Sequence, residues 1–346
     1  MEQNLLSNGP LLDENGNLAE AGYAFSLIKE YDRKAIKAPG LRIKEWDYYY
    51  IGNKDYGLAL TIADNSYMSL VSASLLEFNE PHFERTKSSM ELFTRGSLGL
   101  PSTSKEGDLI YEDQKKGIYF AFKHVNGKRR LTGYWEKFGL KGELLRFDFT
   151  LEESSPNSMV IATPFEKEKH FYYNQKINNL KANGYVKFGE KQYDLGLCYG
   201  VLDWGRGVWT YKNTWYWSSL NSEIKGVPFG WNFGYGFGDT SKATENMVFY
   251  GDKAYKMDDV RFDIPLLPNG QDDFLSPWKF RSSSGDINLD FYPVYNRKAD
   301  TNALVIRSNQ NQVFGHFKGY VLLEGHEVYV EDLPGFAEKS TTSGKE

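Results

Sequence analysis

Apolar and polar residues alternate with a period of two at several places along this chain. Leu145, Phe147, Phe149 and Leu151 alternate with Arg146, Asp148, Thr150 and Glu152, which predicts a strand with one buried and one wet face. Ile287, Leu289 and Phe291 alternate in the same way with Asn288, Asp290 and Tyr292. Gly57 to Ile62 and Met68 to Phe78 read as two strands around Ala63-Asp64-Asn65-Ser66. Ile118 to Lys123 and Leu131 to Trp135 flank Asn126-Gly127, a dipeptide favoured in two-residue hairpin turns because both residues accept positive φ. No long segment carries a convincing 3.6-residue period. Leu18 to Lys37 offers a short helix of poor apolar spacing, inside an irregular lead-in with turn signals at Asn8-Gly9-Pro10 and Asn15-Gly16-Asn17. Many short strands joined by Gly and Asn turns predict an all-β barrel or sandwich.

A weak internal repeat divides the chain. The hairpin Gly184-Tyr185-Val186-Lys187-Phe188-Gly189 resembles Gly319-Tyr320-Val321-Leu322-Leu323-Glu324. With 346 residues, the chain has the length of two domains of roughly 150 residues each. The expected division is a first β domain over 1–203, a second over 204–338, and a polar, disordered tail over 339–346.

Composition narrows the function. Aromatic residues reach 16% and Gly numbers 33, an excess that favours strands and tight turns. The formal net charge of −5 excludes a broad basic surface, so nucleic acid is not an expected partner. A single cysteine, Cys198, excludes an internal disulfide framework and a multi-cysteine zinc site. Met1-Glu2-Gln3-Asn4 lacks the basic stretch and apolar run of a signal peptide, and no window has the length of an apolar membrane span. A cytoplasmic, reduced protein without integral membrane association is the expectation. The five histidines form no H-x-x-x-H or H-E-x-x-H, and there is no G-x-S-x-G elbow and no phosphate-binding G-x-x-x-x-G-K-[ST] loop. No metal or cofactor is implied.

The unusual window is 196–240, with nine Gly and five of the eight Trp. Its centre is Asp203-Trp204-Gly205-Arg206-Gly207-Val208-Trp209-Thr210-Tyr211. Two glycines bracket Arg206 and let the backbone turn or come close to something. Asp203 and Arg206 are read as a pair inside an aromatic cage, either as an acid of raised pKa oriented by the guanidinium or as a structural plug closing a barrel end. Trp215-Tyr216-Trp217, if a strand, puts the two indoles on one face, lining the barrel interior. Gly230-Trp231-Asn232-Phe233-Gly234-Tyr235-Gly236-Phe237-Gly238 alternates large and small residues, and its Gly face leaves room for a ligand or a close-packed neighbour. Glu245 and Asn246, on a returning loop, can face a pocket, and His316 is the one histidine in a strand pattern worth watching. The candidate catalytic residues are therefore Asp203, Arg206 and Glu245. The candidate substrate contacts are Trp204, Trp209, Tyr211, Trp215, Trp217, Asn232, Asn246 and His316.

At Asp203-Trp204-Gly205-Arg206-Gly207 and the Trp-Tyr-Trp run behind it, the chain resembles a bacterial family, domain of unknown function 2804. Asn232-Phe233-Gly234, Glu245-Asn246 and Gly335-Phe336-Ala337-Glu338 support the resemblance, which spans most of the chain. That family is distantly similar to tandem lipocalin-like proteins such as carotenoid hydratases and tocopherol cyclase. The resemblance implies two lipocalin-like antiparallel β-barrels packed together. It also implies an enzyme of lyase or isomerase type that hydrates, isomerises or cyclises a hydrophobic unsaturated small molecule without a cofactor. Asp203 would then be the proton donor, with Trp204, Trp209 and Trp217 shielding a cationic state. Two other readings stand beside it: a non-catalytic carrier of a lipid-like ligand, and a carbohydrate-active protein pairing Asp203 with Glu245 or Asp239.

Overall fold

A computed structural model of the chain describes residues 2–303 and 306–344. Among them the only helical pieces are two 3-10 turns, Arg33–Ala35 and Gly40–Arg42. The rest is strand and loop, as the period-two patterns predict. The expected helix over Leu18–Lys37 is replaced by short strands at Gly22–Ala24 and Lys29–Glu30. Its apolar residues Ala24, Leu27 and Tyr31 all join the first hydrophobic cluster from this non-helical backbone.

Apart from a two-stranded parallel pair, Gly9–Pro10 with Lys29–Glu30, the strands form two large antiparallel sheets, each curled into a half-barrel around its own core. The first runs from Phe83–Leu92 through Met68–Glu77, Tyr56–Asp64, Ile43–Gly52, Tyr199–Val208, Phe171–Phe188, Leu145–Glu153, Lys128–Trp135 and Ile118–Val125 to Leu109–Asp113. The second runs from Lys253–Lys256 through Met247–Tyr250, Val227–Tyr235, Asn213–Ile224, His326–Gly344, Ile306–Leu323, Ile287–Ala303 and Trp278–Arg281 to Arg261–Asp263. The tandem lipocalin-like architecture expected from the resemblance is what the chain adopts. Among the described residues no helix is long and apolar enough to cross a membrane.

The local signals hold in detail. Asn126 and Gly127 take φ of 51° and 74° and close the predicted hairpin. Leu145, Phe147, Phe149 and Leu151 are all buried. The repeat is real: Gly184 and Gly319 both sit at φ 134°, opposite Phe149 and Leu289 in equivalent hairpins of the two sheets. At each, a Cβ would meet a backbone oxygen of the neighbouring strand at 2.3 or 2.1 Å, so only glycine fits.

Two boundaries move. Asp203 lies in the middle of Tyr199–Val208, which belongs wholly to the first sheet, so the division falls after Val208 rather than at Asp203. Residues 339–344 are not a disordered tail. They continue the strand His326–Gly344, with Lys339 to Thr342 paired to Asn213–Tyr216 on one side and to Ser308–Asn311 on the other. A polar Ser/Thr run reads as solvated, but Ser340 is buried and donates to Glu338 at 2.6 Å.

Candidate functional site between the two sheets

The strand Tyr199–Val208 carries the D-W-x-R-G run and alternates strictly. Leu202, Trp204, Arg206 and Val208 point into the first core, and Val201, Asp203, Gly205 and Gly207 point the other way. Asp203 and Arg206 are an odd number of residues apart and lie on opposite faces, so the expected pair does not form. Arg206 is buried inside the first half-barrel, with Nη2 3.0 Å from Asp47 and its guanidinium 4.2 Å from the centre of the Trp204 ring. It also donates to the carbonyls of Trp46, Gly205 and Pro101. The plug reading fits Arg206 and Trp204, with Asp47 as the partner. Neither residue reaches Asp203.

Asp203 faces the second sheet. Its Oδ2 lies 2.7 Å from Lys176 Nζ, and its Oδ1 accepts from Asn174 Nδ2 at 2.6 Å. Lys176, Asp203 and Tyr48 stand side by side on three neighbouring strands. Opposite them the second sheet presents another cross-strand row: Arg297, Gln312, Glu338, Trp217 and Gly234. The rows meet where Lys176 Nζ sits 4.0 Å above the Trp217 ring and Tyr48 Oη reaches Gln312 at 3.4 Å.

Two more carboxyls flank Trp217. Glu338 accepts from Trp215 Nε1 at 3.2 Å and from Ser340 Oγ at 2.6 Å. Glu245 fills the space left by the absent side chain of Gly234, where a Cβ would meet its Cδ at 2.6 Å. Burial pushes both carboxyls above the ordinary glutamate range, against the pull of nearby Lys176. On the Glu245 loop, Lys256 donates to Thr244 Oγ1 at 2.6 Å, and burial lowers its ammonium to about 7. The arrangement is thus the Lys176 ammonium among three buried carboxyl groups, with Lys256 acting on Glu245 and Arg297 on Glu338 from either side, walled by aromatic rings.

The other candidates divide. Trp215 and Trp217 share a face as expected. That face looks out of the second half-barrel toward the first, and Tyr216 is the ring that packs against the second core. Asn232 joins the cluster, accepting from Trp217 Nε1 at 2.7 Å and donating to the Glu245 carbonyl at 2.8 Å. Asn246 is bound to backbone instead: it accepts from Gly234 N at 2.8 Å and donates to the Asp258 carbonyl at 2.7 Å, closing the base of the loop. Trp209 packs at one end of the interface with Trp46, Tyr172 and Phe237. Tyr211 lies outside the cluster, its ring 4.1 Å from the Arg42 guanidinium. His316 is half-buried on the rim of a cleft at the opposite end, lined with Tyr50, Phe78, Ser219 and Phe314 and measuring about 420 Å³ including its open mouth.

Lys176, Tyr48, Tyr172, Asn174 and Gln312 are not among the residues the sequence singles out, and Glu338 enters there only within Gly335-Phe336-Ala337-Glu338. The signal for three of them was present. Tyr172, Asn174 and Lys176 alternate with Phe171, Tyr173 and Gln175, the mark of a strand whose second face is also covered.

A family model described as "Domain of unknown function (DUF2804)" matches residues 2–343. No curated protein matches the chain. Among solved structures it is similar to kievitone hydratase from Nectria haematococca, at 12% identity and a TM-score of 0.52, covering 86% of this chain and 88% of that one. It is also similar to a provisionally named AttH from Nitrosomonas europaea, at 11% identity and a TM-score of 0.54, covering 96% and 99%.

Proposed function

We propose, from the premise that this chain belongs to the DUF2804 family over nearly its whole length, that it is an acid catalyst. Its substrate is a hydrophobic, unsaturated small molecule taken up between the two sheets. The observation that carries this reading is the pair of buried carboxyls on either side of Trp217, Glu245 and Glu338, both raised by burial. A carboxyl raised in this way keeps its proton closer to neutral pH, which a general acid needs. Asp203 has both oxygens engaged by Lys176 and Asn174. It therefore fixes the ammonium rather than supplying the proton.

The chemistry follows from these groups. Proton transfer from Glu245 or Glu338 to a carbon–carbon double bond breaks the π bond and forms a C–H bond. The resulting cation lies beside the faces of Trp215 and Trp217. Water adding to it forms a C–O bond, and the water's proton returns to the carboxylate that gave up its own. Proton loss to the carboxylate instead gives an isomer, and attack by a second double bond closes a ring and leaves a new cation, which loses its proton to the same carboxylate. One fold neighbour is by name a hydratase, so hydration is the first reaction to try.

The carrier reading requires no acid, and the two raised carboxyls weigh against it. The sugar reading calls for carboxyls facing across an open cleft. Here Asp203 and Glu245 are enclosed, and Asp239 is exposed on a loop, accepting from Ser241 N. The test is incubation with enones, polyenes and prenylated phenols in D2O, read by mass spectrometry for added water or incorporated deuterium. Glu245→Gln or Glu338→Gln should remove the activity. Turnover unchanged in both variants would overturn the reading.

A further inference from the structure

Phe237 sits between two glycines of positive φ, Gly236 at 91° and Gly238 at 74°. Its ring is held on four sides by Tyr172, Phe165, Trp209 and Trp215, with centroids at 4.9, 5.2, 5.2 and 5.5 Å. All four contacts are edge-to-face, between 69° and 87°, the geometry in which aromatic rings hold a planar ring. Two members of this cage belong to the acid cluster. Trp215 donates its indole N–H to Glu338 at 3.2 Å, and the Tyr172 hydroxyl feels the charges of Asp203, Glu245 and Glu338. Phe237 and Glu245 lie on one loop. Its base is fixed by Asn246 on Gly234, and just beyond Phe237 the Asp239 amide donates to the Pro164 carbonyl at 2.8 Å.

We propose that Phe237 holds the seat of a ligand's aromatic ring. Rotation about Gly236 and Gly238 withdraws the phenyl group, and a planar ring of the ligand takes its place, with its reactive double bond toward Glu338 and Glu245. Glycine on both sides of Phe237 leaves φ and ψ there free of the Cβ restrictions that would oppose such a rotation. The substrate class narrows to unsaturated compounds carrying an aromatic ring. This rests on the reading above that the space between the sheets receives the ligand.

The test uses the fluorescent probe N-phenyl-1-naphthylamine with the wild-type protein, Phe237→Ala, and Phe280→Ala as a control that empties a fully buried ring position in the second core. If Phe237 competes for the seat, its removal tightens probe binding by about tenfold, the factor for a seat open in about one molecule in ten. Phe280→Ala leaves the affinity unchanged. In wild type, probe binding raises amide hydrogen exchange at 236–239, since the displaced segment loses its contacts. Equal or weaker binding by a folded Phe237→Ala, the same gain in Phe280→Ala, or protection of 236–239 by the probe would each overturn the proposal. These outcomes are independent of turnover by Glu245 and Glu338, so the ring seat and the acid chemistry can fail separately.

Discussion

Asp203 and Arg206, on one strand and three residues apart, face away from each other into two different environments. Arg206 serves the first half-barrel and Asp203 serves the junction between the sheets. Arg206→Met leaves Asp47 buried without its cation, which should cost about 3–5 kcal/mol of stability. Urea unfolding measures that loss. Adding Asp47→Leu should recover part of it, because the isolated charge is then gone. A loss that the second substitution does not reduce would mean that the carbonyl bonds of Arg206, not its ion pair, hold the barrel end.

Glu245 and Glu338 make stability depend on pH in a defined direction. Their folded-state pKa values lie above the ordinary glutamate value of about 4.5, chiefly through burial. Their contribution is complete below pH 4.5 and is lost as pH rises through the folded values, where a charge must be buried. The slope is about 1.4 kcal/mol per pH unit per group within that window. Glu338→Gln should flatten the stability profile above pH 4.5 and unfold at higher urea than the parent at pH 8. A profile that stays as steep in both Gln variants would place the titration elsewhere.

Lys176 acts in the opposite sense on the same groups. Its charge lowers both carboxyls and its ammonium bridges Asp203 and Trp217. Lys176→Met should shift the alkaline limb of the pH–rate profile upward, since the acids keep their protons longer. It should also destabilise the protein at neutral pH by leaving Asp203 without a cation. An unshifted limb with reduced stability would make Lys176 purely structural.

Most of the fold was legible because strands write their burial directly into the sequence. The alternations at Leu145–Leu151 and Ile287–Phe291, the Asn126-Gly127 turn and the paired Gly184 and Gly319 all needed only local geometry. The site was half legible. Asp203, Glu245, Trp215, Trp217 and Asn232 do come together, but Asp203 was given the wrong partner. The two glycines around Arg206 suggest both a sharp turn and a close approach, and only a turn would allow Asp203 and Arg206 to meet. They instead lie in a straight strand, where the indole of Trp46 covers Gly205 at 2.2 Å from a would-be Cβ. Lys176 and Glu338 could not be assigned to the site from sequence because each is defined by the facing sheet, and no local pattern says which two polar rows will face each other.

Gly234 offers the sharpest test of how the acid is placed. Its backbone has no positive φ, so alanine is tolerated conformationally, but a Cβ would meet the Glu245 carboxyl carbon at 2.6 Å. Gly234→Ala therefore displaces the acid while leaving it in the chain. Turnover of a hydrated substrate should fall by about tenfold or more, the range for losing a positioned general acid. Stability should change by no more than about 1–3 kcal/mol, the usual cost of an added methyl in a packed site. If both substitutions act through one carboxyl, Gly234→Ala combined with Glu245→Gln should lose no more turnover than Glu245→Gln alone. Additive losses would mean that Gly234→Ala damages something besides Glu245, and Trp217, its neighbour in the row, would be the next residue to vary.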